Sequence, residues 1–242
     1  MEYQKIFKRY EIKYLISESQ KQDIISSIMP YMALDKYGRS EIRNIYFDTE
    51  NYRLIRSSIE KPIYKEKLRV RSYGRVNGGD AVFVEIKKKY DGVVYKRRVA
   101  LPYTEAILWL TEGKRVLNTQ ISREIDYFCQ YYRTLAPKAF VSYEREAYFM
   151  KDGSDFRVTF DDNIQARSAD ISLMSEAYGL SLLDKGKILM EIKCAGGIPL
   201  WLVTSLSHGK IYKTSFSKYG TFYQKELNIG GYKNERTFFG NI

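Results

Sequence analysis

The chain has 242 residues, 44% of them hydrophobic, enough to bury one sizeable core in a single domain spanning 1–242. Lys and Arg number 40 against 29 Asp and Glu, a formal charge of +11, which favours an anionic partner without choosing among nucleic acid, an acidic membrane surface and a small polyanion. Cys129 and Cys194 lie far apart with no CxxC or Cys/His grouping, which argues against a disulfide framework or a structural zinc site and fits a reducing cytoplasm.

Met1-Glu2-Tyr3-Gln4-Lys5 lacks the apolar run of a signal peptide, and no later stretch has the length of a membrane span. In chain order, the first strand-like segment is Arg9-Tyr10-Glu11-Ile12-Lys13-Tyr14. Ser17-Glu18-Ser19-Gln20 then reads as a capping box opening a helix to about Met29, just before Pro30. Strand patterns follow at Lys67-Leu68-Arg69-Val70-Arg71 and Val84-Glu85-Ile86-Lys87, with Asn77-Gly78-Gly79-Asp80 as a turn between them. A hairpin turn around Tyr90-Asp91-Gly92 leads to Tyr95-Lys96-Arg97-Arg98-Val99. One helix is expected after Thr104, ending at Gly113, and another capped by Ser122, running to about Leu135 before Pro137. Strands recur at Phe156-Arg157-Val158-Thr159-Phe160-Asp161 and Met190-Glu191-Ile192-Lys193. Helices starting at Pro199 and ending at Gly209, and following Ser217, complete a strand-dominated α+β pattern. No linker or repeat interrupts it; the core is expected over about 7–227, with a short tail at 228–242.

In these strands the charged residues fall on one face and the apolar ones on the other, because successive side chains alternate. A plain antiparallel sheet with one solvated face produces the same alternation. Against that bland reading, carboxylates and cations recur at i and i+2, arginines come in pairs, and few of the polar positions are Thr, Ser or Gln. A closed antiparallel β-barrel would turn the charged faces inward and leave the apolar faces for helices packed outside. Like charges so enclosed would repel strongly unless anions or water entered, and polyphosphate carries that density of negative charge. Arginine grips phosphate oxygens in a fork and lysine meets them as a point charge. Glu11, Glu85, Asp161 and Glu191, on the same faces, are hard oxygen ligands for Mg²⁺ or Mn²⁺, and cations mixed with carboxylates point to phosphoryl transfer. The basic runs Lys87-Lys88-Lys89 and Lys96-Arg97-Arg98 flank the hairpin turn, and Lys88, Lys89 and Arg97 are assigned to its outside.

Several short motifs occur in a specific order. They are Arg9-x-Glu11-x-Lys13-Tyr14, Ile45-Tyr46-Phe47-Asp48-Thr49, Lys67-Leu68-Arg69-Val70-Arg71-Ser72-Tyr73, Phe83-Val84-Glu85-Ile86-Lys87 and Lys96-Arg97-Arg98. Ser142-Tyr143-Glu144-Arg145, Phe156–Asp161, Met190–Lys193 and Ser215-Phe216-Ser217-Lys218-Tyr219 follow. In this order the chain resembles the VTC domain of the triphosphate tunnel metalloenzyme superfamily, from about Phe7 to about Leu227. The resemblance implies a tunnel barrel that moves the terminal phosphoryl group of ATP onto a polyphosphate chain and releases ADP, with Mn²⁺ or Mg²⁺ required. It implies phosphate ligands at Lys13, Arg69, Arg71, Lys87, Lys96, Arg145, Arg157, Ser217 and Lys218, a metal ligand at Glu191, and Arg98, Lys193 and Glu85 as neighbours. Lys13, Arg69, Arg71, Lys218 and Glu191 would be catalytic. Arg9 stands where hydrolytic relatives begin a two-glutamate motif, which favours the polymerase branch, while Ser215 replaces a basic residue of some polymerases.

His208, Cys129 and Cys194 are read as structural, so direct in-line transfer is expected, without a covalent intermediate. Two alternatives stand: a tunnel hydrolase acting on triphosphates, and a non-catalytic module binding polyphosphate or nucleic acid. The strand-face carboxylates argue against nucleic acid, whose phosphates they would repel. A membrane-protein partner is left open.

Overall fold

Alternating side chains and capping signals give ten strands and six α-helices among the residues that the computed structural model describes, 7–227. Met1–Lys5 and the tail at 228–242 lie outside the described residues. The first half runs β1 (Phe7–Ser17), α1 (Glu18–Ile28), β2 (Met32–Asp48), α2 (Arg53–Ile59), β3 (Tyr64–Tyr73), β4 (Ala81–Tyr90), β5 (Val93–Pro102) and α3 (Tyr103–Glu112). The second runs α4 (Gln120–Tyr132), β6 (Ala136–Met150), β7 (Arg157–Arg167), β8 (Leu180–Ser181), β9 (Lys187–Cys194), α5 (Leu200–His208), β10 (Lys213–Thr214) and α6 (Lys218–Phe222), which continues into a π-helical turn, Tyr223–Leu227.

Local chemistry sets most of these boundaries. Ser17 Oγ accepts from Gln20 N–H at 3.2 Å while Gln20 Oε1 accepts from Ser17 N–H at 2.9 Å, the reciprocal pair of a capping box. Gly113 closes α3 at φ 71, and Asp91-Gly92, both at positive φ, form the two-residue hairpin turn between β4 and β5. The α4 boundary differs from the sequence expectation. Its cap is Thr119, whose hydroxyl accepts from Ser122 N–H while Ser122 Oγ accepts from Thr119 N–H; Ser122 is the reciprocal partner, and Arg133 at φ 56 ends the helix before Leu135. Helix α2 was not expected. Its own N-cap, Tyr52, offers no side-chain bond, and its first amides are satisfied from a distance, by Asp48 accepting from Leu54 and Ile55 N–H at 2.9 and 3.0 Å.

All strand pairings are antiparallel, in the order β10-β1-β5-β4-β3-β2-β6-β7-β8, with β9 off that path and paired to both β1 and β7. The apolar strand faces are covered by helices, as the alternation requires. Leu68, Val84 and Ile86 pack with Trp109 of α3 and Phe128 of α4. Ile16, Val158 and Ile192 pack with Ile24 of α1 and Leu202 of α5, while Val141 and Ile164 pack with Ile55 of α2 and Phe222 of α6. Burial is therefore concentrated on the outer side of the sheet, leaving the charged faces to one another.

Asp48 also accepts from Tyr219 O–H at 3.1 Å, so one buried carboxylate ties the end of β2 to both α2 and α6. Asp48→Ala leaves two helix amides and a buried phenol without a partner and is expected to cost about 3 kcal/mol. Urea unfolding measures it, and a loss below about 1 kcal/mol would mean that water replaces these bonds.

Candidate functional site

The charged faces converge on a cavity of about 1250 Å³. Strand β1 contributes Glu11 and Lys13; β3 contributes Lys65, Lys67, Arg69 and Arg71; β4 contributes Lys87 and Lys89. Lys96 and Arg98 come from β5, Arg145 from β6, Arg157 from β7, and Glu191 and Lys193 from β9. Ser217 and Lys218, at the start of α6, line it as well. Every phosphate ligand expected from the sequence thus reaches one cavity. Among the described residues its lining holds ten lysines and five arginines against three acidic side chains, Glu11, Asp35 and Glu191.

Lys88 and Arg97 face outward, where they pair with Glu66 and Glu124. Lys89 was assigned to the outside and is instead in the lining. Strand β4 continues to Tyr90 before the turn, so alternation keeps Lys89 on the face of Lys87. The sequence reading also left Lys61, Lys65 and Lys213 unassigned and gave Lys67 no role, although Lys65 and Lys67 continue the every-second-residue pattern of Arg69 and Arg71.

Two of the four metal ligands expected from the sequence are placed differently from the others. Glu85 and Asp161 are fully buried, lie behind the lining, and have their oxygens taken by cations. Glu85 accepts from Arg69 Nε and Nη2 at 2.8 and 2.7 Å and from Lys96 Nζ at 3.3 Å, with Arg71 Nε at 3.9 Å and Arg98 Nη1 at 4.0 Å. Asp161 holds Arg145 in a two-pronged pair at 2.6 and 2.7 Å and takes Lys218 Nζ at 2.5 Å. Burial by itself would raise both carboxyls, but Arg69, Arg71 and Lys96 hold Glu85, and Arg145 and Lys218 hold Asp161, below the usual carboxylate range. The repulsion expected among enclosed cations is thus partly offset from within the protein. Each prop fixes its cations in place, with Arg71 further held by Asn44 Oδ1 at 2.8 Å and Tyr143 O–H at 3.0 Å.

Glu11 and Glu191 differ: both line the cavity. The antiparallel register sets Lys13 opposite Glu191 and Glu11 opposite Lys193, while β7 sets Arg157 opposite Lys193. Lys193 Nζ lies 2.9 Å and Lys13 Nζ 3.5 Å from Glu191, and Lys87 Nζ lies 2.5 Å from Glu11. Burial opposes the charge on Glu191, but Lys193, Lys13 and Lys87 hold its carboxyl well below the usual range. No group of three or more His, Cys, Asp or Glu fit to hold a metal occurs among the described residues. This donor set fits an ion such as Mg²⁺ that keeps water and takes one or two carboxylates together with substrate phosphates; it does not fit an all-protein cage.

Elsewhere in the cavity the cations outnumber their props. Burial pulls the ammonium of Lys67 down to about 7, with Lys13, Lys87 and Lys65 adding to the effect. Burial likewise brings Lys96 to about 7, with Glu85 opposing the fall and Arg71, Arg69 and Arg98 adding to it. Tyr143 falls to about 8 despite its burial, because Arg145, Arg71 and Lys218 surround its oxygen. The candidate nucleophiles lie away from this lining: His208 ends α5, Cys194 is buried in an apolar cluster, and burial pushes the Cys129 thiol up to about 12.

The profile of the VTC domain matches residues 8–226. Among solved structures, the chain is similar to a candidate adenylate cyclase from Bacillus halodurans, with 15% identity and a TM-score of 0.56 over 88% of this chain and 96% of that one. It is similar also to a candidate adenylyl cyclase from Hippeastrum with a dominant triphosphatase activity, again with 15% identity and a TM-score of 0.56, over 89% of this chain and 95% of the other. At that identity the likeness concerns the fold alone. No curated protein sequence matches significantly.

An anion in this cavity meets Lys67 and Lys96 charged below about pH 7 and increasingly neutral above it. Tyr143 also turns anionic over this range, so affinity for inorganic tripolyphosphate is expected to fall as pH rises from 7 to 9. Titration calorimetry measures it; constant or rising affinity would contradict the arrangement.

Proposed function

We propose, from the premise that the chain belongs to the VTC-domain family, that it is a polyphosphate polymerase, transferring the γ-phosphoryl group of ATP to a growing phosphate chain and releasing ADP. The observation that carries this reading is the cavity itself, in which cations from eight strands face inward, those of β3, β5 and β6 on buried carboxylate props. The strand pairings run from β1 through β5, β4, β3, β2, β6, β7 and β9 back to β1, and we read them as a closed barrel whose lumen is the tunnel. A cavity of about 1250 Å³ has room for a nucleoside triphosphate and several further phosphates.

The transfer is in line. An oxygen of the acceptor's terminal phosphate forms a bond to the γ-phosphorus while the bond from that phosphorus to the bridging oxygen breaks, and ADP leaves with the electron pair. The acceptor oxygen already carries negative charge near neutral pH, so no strong general base is needed. Arg69 and Arg71 on their Glu85 prop, and Arg145 and Lys218 on Asp161, present fixed donors to the transferring oxygens, so little reorganisation is required as charge shifts between them. Lys13 stands beside Glu191, where it meets the same oxygens, and Lys87, Lys96, Arg98, Arg157 and Lys193 extend the charge to the rest of the bound chain. Glu191, with Glu11, is the site for Mn²⁺ or Mg²⁺, which would neutralise charge on bridging phosphates. Glu85 and Asp161 act on the cations and not on the metal.

No helix among the described residues is long and apolar enough to cross a membrane; we read the enzyme as cytoplasmic, with a membrane-protein partner left open. Purified protein incubated with ATP, Mn²⁺ and a short phosphate primer is expected to give long polymer on a gel with one ADP per added phosphate. Glu191→Gln should lose this activity at least a hundredfold while the chain still melts cooperatively, at a lower temperature because Lys193 and Lys13 lose their charged partner. Orthophosphate without polymer would identify a tunnel hydrolase instead, and tripolyphosphate binding without turnover a binding module.

A further inference from the structure

Ser217 Oγ accepts two hydrogen bonds, from Lys67 Nζ at 2.9 Å and from the Gly220 N–H at 3.2 Å. A hydroxyl has two lone pairs and one proton, so with both lone pairs engaged its proton is left to donate. No acceptor among the described residues takes it, and Ser217 lines the cavity. The segment is held from other sides too. Lys13 Nζ donates to the Phe216 carbonyl at 2.7 Å, and Thr214 pairs with Lys13 across β10 and β1. The close approach of Gly220 is part of the device, since a Cβ there would stand 3.1 Å from both the Cβ and the Oγ of Ser217. Lys67 reaches this hydroxyl from β3, 150 residues earlier in the chain, and has no carboxylate within ion-pairing distance among the described residues.

We propose that Lys67 is a positioning residue: by filling the second lone pair of Ser217, it turns that hydroxyl into a donor aimed at a phosphate oxygen in the cavity. This rests on the reading of the cavity as a phosphate-chain site. A half-buried lysine among Lys13, Lys65 and Lys87 is costly for the fold, and its ammonium is loosely protonated there, so a role confined to packing would be served better by methionine. Arginine retains N–H donors and charge and can reach the same hydroxyl.

The test is a double-mutant cycle on the affinity for inorganic tripolyphosphate, measured by calorimetry without turnover. Lys67→Met and Ser217→Ala are each expected to weaken binding about tenfold, the range for a hydrogen bond involving a charged group. Acting through Ser217, Lys67→Met should cost at least threefold less in the Ser217→Ala background than in the parent chain, and Lys67→Arg should bind within about threefold of the parent. Equal losses in both backgrounds, or failure of Lys67→Arg to restore binding at unchanged melting temperature, would overturn the assignment. If Lys67→Met does not fold, Lys67→Arg and Lys67→Gln carry the same cycle. A parent chain that binds no tripolyphosphate overturns both this inference and the reading beneath it, whereas binding with equal losses overturns this one alone.

Discussion

Positive charge inside a protein has to be held in place and partly neutralised; here two carboxylates behind the wall, Glu85 and Asp161, hold the arginines, while Glu11 and Glu191 pair with lysines at the wall itself. Each of the first two is fully buried behind the cavity wall and grips cations from neighbouring elements, Arg69 of β3 and Lys96 of β5 in one case and Arg145 of β6 and Lys218 of α6 in the other. Removing one partner of such a pair would leave uncompensated charge in low dielectric, costing several kcal/mol. The props cover only part of the charge. Ten lysines and five arginines line the cavity against three acidic side chains, a surplus that an anion would offset.

The rest of the architecture serves this inward charge. Because side chains alternate along a strand, a wall of cations on one face obliges an apolar face on the other, and that face is what α1 to α6 cover. The hydrophobic core therefore lies between these apolar faces and the helices, and the charged faces line the cavity. The short end of the chain closes the arrangement: Tyr219 reaches Asp48 while Lys218 reaches Asp161, so α6 links the core to the wall of the cavity.

What could be read from sequence was whatever is local. The Ser17 capping box, the Asp91-Gly92 turn, the Gly113 stop and the charged faces of β1, β3, β4, β5, β7 and β9 follow from spacing alone, and every expected cationic ligand reached the cavity. Features that depend on distant partners were not legible. Helix α2 takes its cap from Asp48, outside the usual cap position, so nothing at its start announced it. Glu85 and Glu191 occupy equivalent places in their strand patterns. Only their neighbours tell them apart: arginines claim the oxygens of the first, while the second shares its oxygens with two lysines at the cavity wall. Lys89 was misassigned because the run of basic residues looked like a turn when the strand in fact continues to Tyr90.

On the reading proposed above, phosphate chains bind on the propped cations and metal binds on the two carboxylates left at the wall. Its most direct test is a crystal structure with tripolyphosphate and Mn²⁺, with the metal located by anomalous scattering. Phosphates between Arg69, Arg71, Arg145 and Lys218, with Mn²⁺ on Glu191, are predicted. Tripolyphosphate on the outer surface, or Mn²⁺ displacing the arginines from Glu85 or Asp161, would contradict the account.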